Sequence, residues 1–223
     1  MNALIVGASP LAHTDAWYRK FVKAADVVVA CDAAGEWCVG LGRLPDLAVG
    51  DFDSASPGAA ERLRALGVEV SEYPTRKNAS DLDLAVDAAL ALGAGTLTVT
   101  AAFTNRLDHT LAALGLALRV PANVPLVFAD PGLAARVVRP PNETHVELEV
   151  QPGALVSVVA LAAAEGVTLS GLAYPLLNAS LEALSSLGVS NVATDSRVTV
   201  DVVQGTLLVM CVDETAHGIQ VPR

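Results

Sequence analysis

The chain has 223 residues, of which 52% are hydrophobic and 17% are charged, so it holds enough apolar material for one large domain or two small ones. Its formal net charge of -10 would repel a nucleic-acid backbone over most of the surface, and we expect no nucleic-acid partner. An acidic chain can still bind a phosphate ligand when a divalent cation lies between the phosphate oxygens and the protein's carboxylates.

Up to about residue 130, short β-branched runs alternate with alanine- and leucine-rich stretches of helical period. This alternation predicts an α/β domain over residues 1–130 with a mainly parallel sheet. The runs are nearly continuous in apolar residues, which indicates strands covered on both faces. The predicted strands are 3–6, 27–30, 47–49, 68–73, 96–100 and 126–128. The predicted helices are 15–24, 57–66, 81–92 and 106–118.

After Pro131 the pattern changes to shorter alternating or apolar runs, separated by glycine and asparagine. This pattern predicts a small all-β domain over residues 131–223, with the proline-containing segment 139–142 near its start. The predicted strands are 146–150, 156–160, 167–169, 198–202 and 207–209.

The cysteines and the N-terminus bear on the compartment. Cys31, Cys38 and Cys211 have neither a CxxC spacing nor an even count, which argues against a disulfide framework or a zinc knuckle. No basic leader precedes the first apolar run, and no stretch of about eighteen apolar residues follows. We therefore expect a cytoplasmic protein without a membrane partner.

Two aspartates follow the third predicted strand, in the segment Gly50-Asp51-Phe52-Asp53-Ser54. Because Asp51 and Asp53 are two residues apart, an extended backbone would direct both carboxylates to one side, where they can share a cation. In open α/β sheets, ligands bind beyond the carboxyl ends of the strands. An isolated pair of this kind is also typical of a solvated acidic loop, so the pair needs support from other segments.

A second polar segment lies at the start of the helix 81–92. Ser80 and Asp83 have the spacing of a capping box, with Asp where Glu or Gln is usual, and this gives them a purely structural role. Asp81 and Lys77 have no such role. Asp81 can complete an oxygen cage for magnesium, and Lys77 can meet phosphates as a point charge.

A third polar segment, Arg106-Leu107-Asp108-His109, begins the helix after the strand 96–100. Arg106 can bind phosphate oxygens in a fork, and Asp108 can bind a metal or orient a hydroxyl group, although an ordinary polar helix start would look the same. Side chains just after strands or in strand–helix loops would meet at one edge of the sheet. These are Asp32, Asp51, Asp53, Lys77, Asp81 and Arg106.

Two other features favour structural roles. The segment 7–10 follows the first strand but lacks the later glycines of a dinucleotide-binding fingerprint. Trp17 and Trp37 are expected to pack in the interior and not to form a base-stacking platform.

Together these segments resemble the thiamine pyrophosphokinase family, and the similarity runs in the same order over almost the whole chain. The GDFDS block at 50–54 is the most specific, and the segments 77–83, 106–109, 169–176 and 188–191 support it. The resemblance implies an N-terminal α/β domain that binds ATP. It also implies a C-terminal β-sandwich that completes the thiamine pocket, usually across a homodimer interface.

The resemblance also implies site residues. The magnesium-binding carboxylates are matched by Asp51, Asp53 and Asp81. The ATP-binding and reaction site is matched by Asp32, Ser54, Lys77, Arg106, Asp108 and His109. The thiamine-binding region is matched by Ser190 and Asn191.

The implied reaction is attack by the thiamine hydroxyethyl oxygen on the β-phosphorus of ATP, with AMP as the leaving group and thiamine diphosphate as the product. Magnesium would neutralise charge on the bridging phosphate oxygens, so positioning and electrostatics would dominate catalysis. Asp108 is the candidate for orienting or deprotonating the hydroxyl.

Three departures from the family pattern leave alternatives open. Ala33 stands where glycine is usual, Thr104 and Asn105 replace paired glycines, and Asn78 replaces an aspartate. Side chains at these places can narrow the nucleotide site or change its loop. The alternatives are a diphosphokinase for another alcohol, such as a pterin, and a non-catalytic protein that binds nucleotide or thiamine.

Overall fold

The computed structural model of the chain describes residues 1–212. The chain forms two compact units, Met1–Leu116 and a second that begins at Ala117. Strands and helices alternate in the first unit, and the second is built almost entirely of strands, so the predicted fold class is confirmed. The end of the predicted second domain, 213–223, lies outside the described residues.

The first unit is built on a parallel sheet, as the alternating pattern predicted. Its strands are β1 (Asn2–Val6), β2 (Val27–Cys31), β3 (Leu47–Gly50), β4 (Glu69–Glu72) and β5 (Thr96–Thr100). Their order across the sheet is β4-β3-β2-β1-β5, so successive strands are added on one side of β1 until β5 pairs on its other side. A reversal of this kind opens a crevice at the carboxyl ends of the strands.

Five helices connect or follow these strands. They are α1 (Asp15–Ala24), α2 (Ala34–Gly40), α3 (Ala59–Ala65), α4 (Asp81–Ala91) and α5 (Leu107–Arg119). Four were predicted to within two residues at each end. The exception is α2, because seven residues with two glycines show too little helical period to be recognised.

Aromatic side chains pack around Tyr18, which is fully buried in the core of the first unit. Trp17 stacks on Phe21 with ring centroids 4.2 Å apart, and Trp37 meets Tyr18 edge to face at 4.8 Å. These contacts confirm that both tryptophans are packing residues.

One strand differs from its expected environment. The sequence predicted that the strand at 68–73 is covered on both faces, but β4 lies at the edge of the parallel sheet with Glu69 and Glu72 exposed. The prediction was wrong because the run 68–73 contains Glu69, Ser71 and Glu72, which are too many polar residues for a strand that is buried on both faces.

The second unit is antiparallel. Its strands are β6 (Leu126–Asp130), β7 (Leu133–Val138), β8 (His145–Glu149), β9 (Leu155–Ser170), β10 (Leu176–Leu181), β11 (Asn191–Val192), β12 (Arg197–Asp201) and β13 (Gln204–Val212). The long β9 pairs with β13 along its first part and with β10 and β12 along its last part, so it belongs to two groups of strands. Side chains from both groups share one apolar core.

Three features of the second unit differ from prediction. The strands predicted at 156–160 and 167–169 form one strand, because β9 continues through the alanine-rich segment between them. The strands β7 and β10 and the two-residue strand β11 were not predicted. The strand predicted at 126–128 forms as β6, which pairs antiparallel with β7 and not parallel. The compact units divide after Leu116, and the domain boundary near residue 130 stays a prediction.

In the part of the chain that the structure describes, none of the helices combines the length and the apolar character needed to cross a bilayer.

Candidate active site

A cavity of about 580 Å³ opens in the first unit, beyond the carboxyl ends of its strands. This volume is in the range of small-molecule sites. The predicted site residues that line it are Asp32, Asp51, Asp53, Ser54, Lys77, Asp81, Arg106 and His109. The structure therefore brings together side chains from β2, β3 and the starts of α4 and α5, as their positions after strands predicted.

The ends of β1 and β5 meet closely at the cavity wall. The N–H of Gly7 donates to the carbonyl of Thr100 at 2.8 Å, and a Cβ atom at Gly7 would lie 2.3 Å from the carbonyl oxygen of Ala101. Only glycine fits there. The segment 7–9 lines the cavity but was assigned no role from sequence; its one signal was its place directly after the first strand.

Backbone strain is concentrated around this cavity. Asp32, Phe52 and Ala101 follow β2, β3 and β5, and their φ angles of 51°, 57° and 52° lie in the left-handed region. This region is unfavourable for residues other than glycine, least so for aspartate and asparagine. Strained residues of this kind are typical of functional sites, where the surrounding structure holds them in place.

Three carboxylates form a close cluster. Asp32, Asp51 and Asp53 each offer an oxygen within 4.8 Å of the other two. Asp32 is buried; its Oδ2 accepts a hydrogen bond from Ser54 Oγ, and its Oδ1 has no hydrogen-bond partner among the described residues. Burial raises the pKa of Asp32, and the carboxylates of Asp81 and Asp51 raise it further against the opposing bond from Ser54. A buried, unpaired oxygen beside two carboxylates fits a hard divalent cation.

Lys77 lies between two of the predicted metal ligands. Its Nζ is 3.3 Å from Asp51 Oδ2 and 2.8 Å from Asp81 Oδ1. Burial acts to lower the pKa of Lys77, but its contacts with Asp81 and Asp51 outweigh burial and raise the pKa above its usual value. Burial likewise acts to raise the pKa of Asp51, yet hydrogen bonds from Asp53 and Lys77 leave it lowered. The ammonium thus stabilises the charged form of the Asp51 carboxylate.

Asp81 was predicted to group with Asp51 and Asp53, but its place in the close cluster is taken by Asp32. The close trio contains Asp32, which was predicted to line the nucleotide site, whereas Asp81 connects to the trio through Lys77. The start of α4 fixes Asp81 through the predicted capping box, which is confirmed. Ser80 Oγ accepts from the N–H of Asp83 at 3.1 Å, and Asp83 Oδ2 accepts from the N–H of Ser80 at 3.1 Å.

The start of α5 carries a second set of charges. Arg106 donates to both oxygens of Asp108, from Nε at 3.3 Å and from a terminal nitrogen at 2.6 Å. Arg106 and His109 line the cavity, but Asp108 lies outside its lining. The hydrogen bond from Arg106 is the main cause that lowers the pKa of Asp108. Its catalytic role stays a prediction.

Two departures from the family pattern have clear local geometry. Ala33 has φ -58°, an ordinary helical value that does not require glycine. Thr104 Oγ1 accepts from the N–H of Arg106 at 2.8 Å and donates to its carbonyl at 3.2 Å, while Thr110 Oγ1 contacts both the N–H and the carbonyl of Thr104. Side-chain hydrogen bonds therefore hold the loop before α5.

The predicted thiamine-binding residues lie in the second unit. Ser190 has φ 55° and donates its N–H to Ser157 Oγ at 2.9 Å. Asn191 is buried, and its amide bonds both the N–H and the carbonyl of Tyr174, at 3.0 and 2.7 Å, and also accepts from the N–H of Val192. The Asn191 side chain thus fixes the backbone at Tyr174, and its thiamine contact stays a prediction.

Two family models match the chain, and the first of them covers the residues that line the cavity from Asp32 onward. The model described as "Thiamin pyrophosphokinase, catalytic domain" matches residues 18–128, and "Thiamin pyrophosphokinase, vitamin B1 binding domain" matches residues 142–207. Together they account for most of the chain. It belongs to the thiamin pyrophosphokinase family. The resemblance inferred from the GDFDS block and its supporting segments is therefore confirmed.

Individual relatives agree with the family. The thiamine pyrophosphokinase of Bacillus subtilis (strain 168) is 28% identical over 170 residues, which cover 76% of this chain and 79% of the relative. A crystal structure of the Bacillus subtilis thiamine pyrophosphokinase has a TM-score of 0.80 at 23% identity and covers 96% of this chain and 99% of that one. The thiamin pyrophosphokinase of Geobacillus thermodenitrificans has a TM-score of 0.77 at 26% identity, with 97% and 99% coverage. The two structures show that the described part of this chain shares their fold.

Proposed function

We propose that this chain is a diphosphotransferase that moves the β,γ-diphosphoryl group of magnesium ATP onto the hydroxyethyl oxygen of thiamine, with AMP as the second product. The observation that carries the proposal is the carboxylate cluster of Asp32, Asp51 and Asp53 inside a cavity of the family's catalytic domain. A protein that only bound its ligands would have less need of a complete set of oxygen ligands for a metal.

Asp51, Asp53 and Asp81 are the proposed magnesium ligands, and the position of Asp32 supports its addition to this set. All four offer carboxylate oxygens, the ligand type that magnesium prefers. Magnesium held by these carboxylates would supply positive charge that offsets the negative charge of the ATP phosphates. The protein contributes by holding these carboxylates together before ATP arrives, at the cost of the repulsion between them.

The cationic side chains are proposed to bind the phosphates. Lys77 acts as a point charge beside the carboxylates, and Arg106 offers a planar fork of donors. Ser54 and His109 are proposed to contact the nucleotide, since both line the cavity. The contacts of Lys77 with Asp51 and Asp81 keep its ammonium charged and hold it near the proposed metal.

Asp108 is proposed to orient the thiamine hydroxyl group. Its pKa is lowered by Arg106, so its carboxylate is a weak base and a poor candidate for removing a proton. A carboxylate in this state still accepts a hydrogen bond. Accepting the bond from the hydroxyl would point the oxygen lone pair at the β-phosphorus.

Ser190 and Asn191 are proposed to form part of the thiamine site, within the match to the vitamin B1 binding domain.

We propose further that the protein is a homodimer. Large apolar side chains of the second unit, including Tyr174, Leu177 and Leu184, are exposed, which favours burial against another chain. Sedimentation should give about twice the single-chain mass of 22.9 kDa, and a monomer mass at micromolar concentration would contradict this part. A cytoplasmic location is proposed because all three cysteines are free thiols.

The decisive experiment measures AMP release from ATP and magnesium with thiamine as the acceptor. We expect AMP and thiamine diphosphate in equal amounts, and neither product when magnesium is removed by chelation. A hydroxymethylpterin should be tested in parallel as a competing alcohol. If only the pterin is turned over, the pterin and not thiamine is the acceptor. If the ligands bind but no AMP is released, the chain is a non-catalytic binding protein.

A further inference from the structure

The loop that carries the acidic cluster is held by hydrogen bonds at two levels. Residues 51–58 connect β3 to α3, and two serines of this loop donate to carboxylates near α2. Ser54 Oγ donates to Asp32 inside the cavity, and Ser56 Oγ donates to Glu36 Oε2 outside its lining. Only the residues of the first bond belong to the proposed active site.

Arg62, on α3, contacts both Ser56 of the loop and Glu36 of α2. Its Nε donates to Glu36 Oε1 at 2.8 Å, and one terminal nitrogen donates to the carbonyl of Pro57 at 2.7 Å. The other terminal nitrogen donates to Ser56 Oγ and lies 2.7 Å from Glu36 Oε1. Because the guanidinium is planar and rigid, these contacts fix the loop, α2 and α3 relative to one another. We name Glu36, Ser56 and Arg62 the outer clamp.

The loop needs an external restraint. Asp51 and Asp53 carry like charges within 4.8 Å of each other and of Asp32, so repulsion acts to spread the loop. Phe52 between them has a φ of 57°, in the left-handed region that is unfavourable for a bulky residue. Within the loop itself, the N–H of Asp53 donates to Asp51 Oδ1 at 3.3 Å, which is a long contact.

We propose that the outer clamp positions Asp51 and Asp53 for metal binding, so that Arg62 is a positioning residue of the reaction although it touches neither metal nor substrate. This inference rests on the proposed magnesium-dependent function. Groups that hydrogen-bond directly to metal ligands commonly change metal affinity about 10- to 100-fold when they are removed. The outer clamp acts one step further out, through the backbone of the loop, so we expect the lower end of this range.

The chain offers a matched control on the same helix. Arg64 is two residues further along α3 and pairs with Glu72 of β4 at 2.5 Å. Its side chain is 46% exposed, against 50% for Arg62, so the two arginines are similar in exposure. Exposed ion pairs contribute little to stability, so removing either one should lower the melting temperature only slightly.

The test measures Mn²⁺ binding to the full-length, nucleotide-free protein by electron paramagnetic resonance, with R62Q, R64Q and R62K beside the unmodified chain. We expect R62Q to weaken Mn²⁺ binding about tenfold, R64Q to leave it unchanged, and R62K to restore part of the loss. In the AMP-release assay, R62Q should raise the magnesium concentration for half-maximal rate while kcat changes much less.

The outcomes separate the two proposals. If the unmodified protein does not bind Mn²⁺, the metal site of the proposed function fails. If it binds and R62Q equals R64Q, the metal site stands and the outer clamp is wrong. Thermal melting identifies any variant that does not fold; S56A, which deletes one hydroxyl of the outer clamp, then repeats the test with the same expected loss.

Discussion

The two sides of the cavity differ in how their charges are held. We name them the strand rim and the helix rim. The strand rim consists of Asp32, Asp51, Asp53, Lys77 and Asp81. The helix rim consists of Arg106 and His109, which line the cavity, and of Asp108, which pairs with Arg106 just outside the lining. On the strand rim Asp53 is exposed, but the side chains of Asp51 and Lys77 are only 10% and 14% exposed. On the helix rim, Arg106 and Asp108 are 69% and 65% exposed.

This difference separates two tasks. Water screens the Arg106–Asp108 pair, so its contribution to folding stability is small and its side chains can change partners when a substrate binds. The partly buried charges around Asp51 interact more strongly, because less water screens them. Strong interactions among fixed charges are what a pre-organised cation site requires. The strand rim is therefore suited to holding metal and phosphate, and the helix rim to contacting the mobile ends of the substrates.

The largest expected difference between the rims comes from replacing one aspartate by asparagine on each of them. Asp51→Asn removes a charge from the strand rim and should lower kcat/KM for AMP release by roughly 10²–10³-fold, a loss typical of a charge-stabilising group. Asp108→Asn keeps a hydrogen-bond acceptor on the helix rim and should lower it by about tenfold or less. Steady-state assays at saturating magnesium give both values.

Melting curves of the two variants serve as the control for folding. Equal losses in Asp51→Asn and Asp108→Asn would remove the distinction between the rims. A turnover number for Asp108→Asn that matches the unmodified protein would show that Asp108 has no role in orienting the hydroxyl.

The next largest effect is expected from removing the positive charge of Lys77, which tests how the strand rim holds its carboxylates. Lys77→Gln removes the ammonium between Asp51 and Asp81 and should lower kcat/KM for ATP by roughly 10- to 100-fold through the lost phosphate contact. The same change should tighten Mn²⁺ binding without nucleotide, because a competing positive charge is gone. Lys23→Gln, at an exposed position of α1, is the matched control. Weaker Mn²⁺ binding in Lys77→Gln would indicate that the ammonium organises the carboxylates and does not compete for them.

The smallest effect concerns stability. The raised pKa of Asp32 means that the folded chain keeps this proton to a higher pH than the unfolded chain. Stability therefore falls as pH rises from the ordinary value of 3.8 through the raised value, and the loss persists at neutral pH. Asp32→Asn keeps an acceptor for Ser54 and tolerates the positive φ, so the metal-free variant should gain about 0.5–2 kcal/mol at pH 7.

Thermal melting between pH 4 and 7 tests this prediction, with Asp195→Asn in an exposed turn as the control. The melting temperature of Asp32→Asn should be higher than that of the unmodified protein at pH 7, and it should change less between pH 4 and 7. A lower melting temperature at pH 7 would mean that the Asp32 carboxylate stabilises the metal-free fold.

Local signals account for what could be predicted. The parallel strands, four of the five helices and the Ser80 capping box follow from hydrophobic period and end residues, which act over a few positions. The short helix α2 and the continuous strand β9 could not be found in this way. A seven-residue helix shows too little period, and the continuity of β9 depends on pairing with distant strands.

By itself, the sequence determined the two-part organisation, the family and the polar residues that follow the strands. The tertiary structure alone decided which of these residues are neighbours. Asp32 joins Asp51 because β2 and β3 pair directly, so the residues after them lie about one strand spacing apart. The outer clamp likewise requires α2 and α3 to lie side by side. Strand order and helix packing depend on contacts between distant segments, which local residue patterns do not encode.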